Sequence, residues 1–390
     1  MQIERLKISN FRVFKDVVID GIQPLAVFVG ANGTGKSTLF DVFGFLRDAL
    51  QDNVHVAITR RGGFREVRSR DALGPIAFEV KFREDGGPLV TYQLTIGDMG
   101  GRAVVEHELL KYRRGQHGKP WHFLDFRRGE GQAVINEVEY GRPGMDMRCE
   151  AQRLESPDIL ALKGLGQFER FKVISSVRRL IERWHLTDLH VQAARPSKEA
   201  GYAEHLSAEG DNLPLVTRFL FERHPAVFNT ILDRMKQRVP GISSVEAKET
   251  VDGRLVLRFQ DGAFRDPFVA RHVSDGTIKM FAYLVLLHDP APHPLLCIEE
   301  PENQLYPTLL CELVEEFRDY ARRGGQVLAS THSPDVLSAL NPGEVFWLEK
   351  RSGYTTVKRA SADPQIRALV EEGDSLGALW KQGFLGGANP

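Results

Sequence analysis

The stretch GANGTGKST, residues 30–38, combines small, flexible residues with one lysine and three hydroxyls. Gly30, Gly35, Lys36 and Ser37 satisfy G-x-x-x-x-G-K-[ST], the spacing that lets backbone N–H groups wrap a chain of phosphates. In that pattern Lys36 reaches the terminal phosphates and the Ser37 hydroxyl ligates Mg²⁺. Gly30, Asn32, Gly33, Gly35, Lys36, Ser37 and Thr38 therefore form the candidate nucleotide-binding set. A second acidic signal stands at CIEEPENQLYP, residues 297–307, where the apolar run Leu295–Ile298 stops on Glu299 and Glu300. Alone, two acids before a proline also fit a solvated strand end. Beside a phosphate loop they have a use, because a carboxylate at the tip of a neighbouring strand holds Mg²⁺. Glu299 is assigned to the metal and Glu300 to the attacking water.

Two further stretches have both a bland and a chemical reading. VSDGTIKMF, residues 273–281, opens an apolar helix with Ser274, Asp275 and Gly276, which suits an N-cap as well as an anion-binding helix end. ASTHSPDVL, residues 329–337, ends an apolar strand on Ser330, Thr331 and His332. A lone histidine at a strand end usually serves structure, so by itself His332 favours that reading over a chemical one.

These residues need a frame to hold them. Short apolar bursts predict two paired strands and then a buried strand within the first 30 residues. Leu39, Phe40, Phe43, Leu46 and Leu50 give helical spacing directly after the loop. Residues 76–138 alternate as an antiparallel meander with breaks such as EDGG, whereas 151–240 is mostly helical in pattern. A hairpin around Asp252-Gly253 follows. The last third alternates helix and strand, which predicts a parallel sheet covered on both faces. GGANP closes the chain as a fraying tail.

Composition bounds the partners. The 390 residues carry 51 Lys and Arg against 52 Asp and Glu, a net charge of −1, so nothing draws the whole chain to polyanions. Any nucleic-acid contact would need a local patch, and arginines do cluster at Arg60, Arg61, Arg65, Arg68 and Arg70, then at Arg113–Arg114, Arg127–Arg128 and Arg178–Arg179. Taken one at a time, these clusters fit a solvated basic surface somewhat better than a nucleic-acid face. Three cysteines without framework or metal spacing point to a reducing compartment. With no membrane-length apolar run and no signal-peptide core, the expectation is a cytoplasmic protein without a membrane partner.

In this order the motifs resemble the ATP-binding-cassette ATPases, and within them the soluble branch of RecF, the SMC proteins and the OLD-like AAA-family ATPases. GANGTGKS matches Walker A, VSDGT the signature, LLCIEEPEN Walker B, ENQLYP the D-loop and ASTHS the His switch. LKISNFRVFKD is similar to that branch's opening strand and turn. The resemblance implies an α/β fold: a P-loop ABC-ATPase with a mixed-sheet core, an antiparallel β subdomain and a helical insertion. The resemblance covers residues 1–70 and 270–348 and hardly the middle; with the strand and helix pattern, the expected division is an N-terminal ATPase lobe (1–150), a mostly helical insertion (151–240) and a C-terminal ATPase lobe (241–390). The resemblance also implies ATP and Mg²⁺ as cofactors and hydrolysis of ATP with Glu300 and His332 as catalytic residues. A homodimer would form around ATP, in which Ser274 and Gly276 cap the nucleotide of the other subunit. The same resemblance implies a nucleotide contact for Arg12 in the FRVF turn, a position that an ordinary surface role fits equally. Two positions depart from the pattern: Glu299 stands for the usual Asp, and Asp275-Gly276 for Gly-Gly.

Two functions compete on this frame. One is an ATP switch gating DNA or an effector partner, in DNA maintenance or anti-phage defence. The other is a nucleotide-dependent regulator of a separate toxin or nuclease that never touches DNA. A transporter motor is disfavoured by SDGT and ENQLYP. An intrinsic nuclease is disfavoured because no further acidic constellation stands out and only 58 residues follow His332.

Overall fold

Four short strands, Leu25–Val29, Leu295–Glu299, Val327–Thr331 and Val345–Arg351, are apolar over most of their length because both of their faces are covered. Alternate residues enter two different cores: Ala26, Phe28, Cys297 and Leu328 face one, Leu25, Val27, Ile298 and Ala329 the other. The structure, a computed structural model, describes residues 2–83, 87, 89–113, 121–135 and 148–386. The EDGG break, Arg114, the end of the 76–138 meander and the GGANP tail fall wholly or partly outside the described residues.

The central sheet has six strands in the order Trp184–Thr187, Leu295–Glu299, Val327–Thr331, Leu25–Val29, Val345–Arg351 and Tyr354–Arg359. All neighbours are parallel except the last pair. An antiparallel sheet of eight strands lies on one side, built from Phe14–Asp20, Gln2–Phe11 and the meander that begins at Ile76–Arg83. Helix Lys36–Gln51 contributes Leu39, Phe40, Phe43 and Leu46 to the core on that side. Helices Asp275–Leu287 and Pro307–Arg322 cover the other face. Gln326 joins the two sheets: its side-chain oxygen accepts from Ile3 N at 2.8 Å and its amide donates to Ile3 O at 2.9 Å, as a strand partner would.

The segment 151–240 is helical only in part. It gives Trp184–Thr187 to the edge of the central sheet beside Leu295–Glu299, and Lys198–Glu199 to a smaller sheet with Ile242–Glu249 and Arg254–Asp261. Four residues, WHLT, are too few for an alternation to register, yet they place Asp188 beside the acidic strand tip.

Glu108, on the antiparallel strand Arg102–Arg113, is fully buried. Its carboxyl accepts from Ala161 N at 2.5 Å, Leu162 N at 3.0 Å and Tyr92 OH at 3.0 Å, anchoring the start of helix Ala161–Leu165. Burial outweighs these bonds and raises its pKa from 4.5 to about 7. Between those values the folded chain keeps a proton that the unfolded chain releases, so stability falls as pH rises through the window. His185, held neutral by burial down to about pH 3, acts in the opposite sense, so the Glu108 contribution is read as a difference: in chemical denaturation, the stability of the parent relative to Glu108→Gln should fall by on the order of 3 kcal/mol from pH 4.5 to 7. An unchanged slope in that variant would refute the assignment.

Candidate functional site

The chemistry gathers where the parallel strands end, the usual place for a ligand in an α/β sheet. Strand Leu25–Val29 runs into Gly30 and the loop, after which the chain turns into helix Lys36–Gln51. Gly35 has φ +100°, and a Cβ there would lie 2.6 Å from Val13 Cγ2, so only glycine serves. The helix has no side-chain cap at Gly35, which leaves its first N–H groups for an anion. Asn32 and Gly33 form the exposed tip. Thr34 O accepts from Thr355 Oγ1 at 2.7 Å, so the last strand of the sheet steadies the loop.

Lys36 is 6% exposed, and its ammonium donates to Gly30 O at 2.7 Å. Burial holds its pKa below the usual lysine value while Glu300, Glu302 and Glu299 pull it back up. Ser37 Oγ donates to Glu299 Oε2 at 2.5 Å, joining two residues 262 positions apart. Glu299 is raised above an ordinary glutamate, first by burial and then by Asp188, Glu300 and Asp41, against the bond from Ser37. Crowded carboxylates beside a hydroxyl form an all-oxygen donor set, which fits a hard divalent cation such as Mg²⁺.

Glu300 sits just beyond the strand with φ +40°, a backbone region that a side chain enters at a cost of roughly 1 kcal/mol or more. Its N–H still donates to Ser330 O at 3.1 Å. The carboxylate is held from two sides, by Asn303 Nδ2 at 3.1 Å and His332 Nδ1 at 3.3 Å. A third acid, Glu302, escaped the sequence reading. It is buried, and its Oε1 accepts from Thr331 Oγ1 at 2.7 Å and from His332 N at 2.9 Å, so it fixes the backbone that carries the histidine. Its only signal was a third acid inside EEPEN.

Ser37, Glu299, Glu300, Asn303 and Gln304 line a cavity of about 520 Å³ together with Asp188, His190 and Lys279. Lys279, 2% exposed, is a second buried cation facing these acids. Neither it nor Asp188 had a motif to announce it. Ser274 and Gly276 lie elsewhere, with Tyr306 and Leu309 along a separate cavity of about 580 Å³ that shares Gln304 with the first. Ser274 caps helix Asp275–Leu287 through Thr277 N. Asp275, the unusual acid in this stretch, is ion-paired to Arg195, which offsets its charge at the first turn of the helix.

Several arginines prove to be internal braces. Arg61 pairs with Asp41 and Asp48 at 2.8 Å each, Arg60 with Asp52 at 2.6 Å and Arg70 with Glu66 at 2.5 Å. Arg12 pairs with Asp41 at 3.1 Å rather than standing free at the loop. Three of the five arginines at 60–70 therefore carry acidic partners, Asp41, Asp48 and Asp52 from upstream in the chain and Glu66 from within the cluster. Among the described residues no helix is long and apolar enough to cross a membrane.

A family model described as "AAA domain, putative AbiEii toxin, Type IV TA system" matches residues 25–142 and 147–338. The DNA replication and repair protein RecF of Acinetobacter baylyi is 38% identical over 122 residues, 31% of this chain and 32% of RecF. RecF of Acinetobacter baumannii is 36% identical over 56 residues, 14% of this chain and 16% of RecF. The chain thus spans about a third or less of the curated relatives it matches. Among solved structures, an Smc head bound to the C-terminal winged-helix domain of ScpA superposes with a TM-score of 0.55 at 14% identity, covering 92% of this chain and 97% of that one. The Smc head with an extended coiled coil bound to the C-terminal domain of ScpA, derived from Pyrococcus furiosus, gives 0.52 at 14% identity, with 95% and 99% covered. These likenesses are of fold.

Removing the Lys36 ammonium should leave the carboxylates facing a bound polyanion with less opposing charge. Lys36→Ala is expected to weaken Mg·ATP binding at least tenfold, about 1.4 kcal/mol, in a calorimetric or fluorescent-nucleotide titration. Affinity within threefold of the parent would contradict the role given to the loop.

Proposed function

The chain belongs to this AAA-domain family, with the fold of the RecF/SMC-like ATP-binding-cassette ATPases, and on that premise we propose an ATP-hydrolysing switch that closes as a homodimer. The observation that carries the reading is the contact between Ser37 and Glu299, which joins Walker A to Walker B at one point. Bound Mg·ATP supplies the phosphoanhydride bond and a divalent charge among the acids.

In this reading the Lys36 ammonium exchanges Gly30 O for phosphate oxygens. Ser37 and Glu299 hold the metal. Glu300 takes the proton of the attacking water, and Asn303 and His332 keep its carboxylate aimed. His332 reports on the terminal phosphate. Ser274 and Gly276 act in trans, aiming the N-terminal amides of their helix at the nucleotide of the second subunit. Support comes from their place outside the cavity of their own P-loop.

The working partner is DNA or a protein effector. RecF is named for DNA replication and repair, which favours DNA, and the family description names a toxin of a toxin–antitoxin system, which favours an effector. The pairing of Arg60, Arg61 and Arg70 with acids weakens the case for that cluster as a DNA face and keeps the effector reading open.

Complementation tests the composite site. Lys36→Ala and Ser274→Arg should each be inactive alone. Mixed, they form heterodimers in which one of the two sites joins an intact loop to an intact signature. ATPase activity should return on mixing, up to about a quarter of the parent's if subunits exchange freely and the sites fire independently. Mixtures as inactive as their components would favour hydrolysis within single subunits or obligatory firing of both sites together.

A further inference from the structure

At the far end of the acidic strand, three histidines and an aspartate crowd together. His293 precedes strand Leu295–Glu299, Asp289 follows helix Asp275–Leu287, and His205 lies on the loop that returns to Thr187. One ligand atom from each of His205, Asp289 and His293 falls within 4.8 Å of the others. We propose that these three residues form a binding site for one zinc-class transition-metal ion, which would clip the signature helix, the Walker B strand and the 198–211 loop together.

His293 carries the proposal. Its Nδ1–H donates to Arg183 O at 3.1 Å, and this bond fixes the tautomer that leaves the lone pair on Nε2. Nε2 is buried and has no partner. A ligating histidine characteristically has its other ring nitrogen donating to a carbonyl in this way. The ring is set on both sides, stacked on His185 at 4.5 Å with an 18° tilt and facing His205 at 5.2 Å. His185 is 9% exposed, and its Nε2 is likewise buried without a partner. Two unpartnered imidazole nitrogens in one buried spot are costly unless something else binds there.

The other two ligands are already in place. Asp289 accepts from His205 Nδ1 at 2.6 Å through one oxygen and from Ala291 N at 2.8 Å through the other. Tetrahedral zinc with bonds near 2.0–2.1 Å sets its ligand atoms about 3.3 Å apart. The His205–Asp289 pair must open by less than an ångström, which rotation of His205 can supply because its side chain is 43% exposed, and no pair of the three ligand atoms starts more than 4.8 Å apart. Water on that open side completes four-coordination. Mixed nitrogen and oxygen donors select zinc-class ions over Mg²⁺, which keeps to oxygen.

The site is separated from Glu299 by the length of one strand, so it is structural with respect to the chemistry. Its link runs through the loop: Ala208 O accepts from both Thr187 Oγ1 and Asp188 N, and Asp188 lines the nucleotide cavity.

Cobalt is the probe. Tag-free chain carrying Cys149→Ser and Cys311→Ser, which removes the exposed thiols, is titrated with Co²⁺ and followed by visible absorption. One equivalent should produce the intense d–d bands of four-coordinate Co²⁺, zinc should bleach them, and zinc should raise the thermal midpoint. His205→Ala, at a half-exposed position that tolerates truncation, should lose both effects while keeping a folded circular-dichroism spectrum. Asp289→Asn should weaken cobalt binding at least tenfold, and Glu299→Gln should leave the bands intact. Absence of the bands in the parent overturns the proposal. So does their survival in both His205→Ala and Asp289→Asn, or their loss in Glu299→Gln, which would assign the ion to the nucleotide site.

Discussion

Carboxylates converge at the ends of neighbouring parallel strands, and the rest of the site is arranged around their mutual repulsion. Glu299, Glu300, Glu302 and Asp188 meet there, and like charges at such distances destabilise one another unless cations or donors intervene. The chain supplies Lys36 and Lys279, both buried, and commits Glu302 to Thr331 and the backbone of His332. Glu299 is left beside a hydroxyl with a raised pKa, and Glu300 is held on a strained backbone. These features suit a site finished by a divalent cation and a polyphosphate together, since the cation offsets the acids and the phosphates offset the lysines.

The same constraint explains how the fold serves the site. Two cores grip the parallel strands from both faces, so their tips cannot drift relative to one another. Gln326 ties the first strand of the antiparallel sheet to the strand that leads to His332. Thr355 reaches the loop from the last strand. The helix opened by Ser274 spans roughly 20 Å over its 13 residues and links the outer cavity at its start to the histidine cluster at its end.

Legibility in the sequence followed the range of the interactions. Gly30, Gly35, Lys36 and Ser37 could be read because phosphate chemistry needs fixed residue types at fixed short spacing. The apolar strands and the helix after the loop were legible because burial enforces periodicity. Asp188, Lys279 and Glu302 were not, since each earns its role from partners tens or hundreds of positions away. Strand Trp184–Thr187 hid for want of length, inside a segment that read as helical. The arginine cluster at 60–70 read as a free patch because Asp41 and Asp48 neutralise Arg61 only after folding. Near the C-terminus, helices Pro364–Glu371 and Leu376–Lys381 are short but open on Asp363 and Ser375, caps that could have been recognised.

In the proposed dimer, nucleotide bound at the carboxylate-lined cavity of one subunit is completed by Ser274 and Gly276 of another. The most direct test is the mass in solution of the Glu300→Gln chain, which should bind Mg·ATP while hydrolysing it slowly. Light scattering should show a monomer of 43.9 kDa without nucleotide and a species of twice that mass with Mg·ATP. The shift should be abolished by Ser274→Arg. A mass that stays monomeric at saturating Mg·ATP, with binding confirmed in the same sample, would contradict the account.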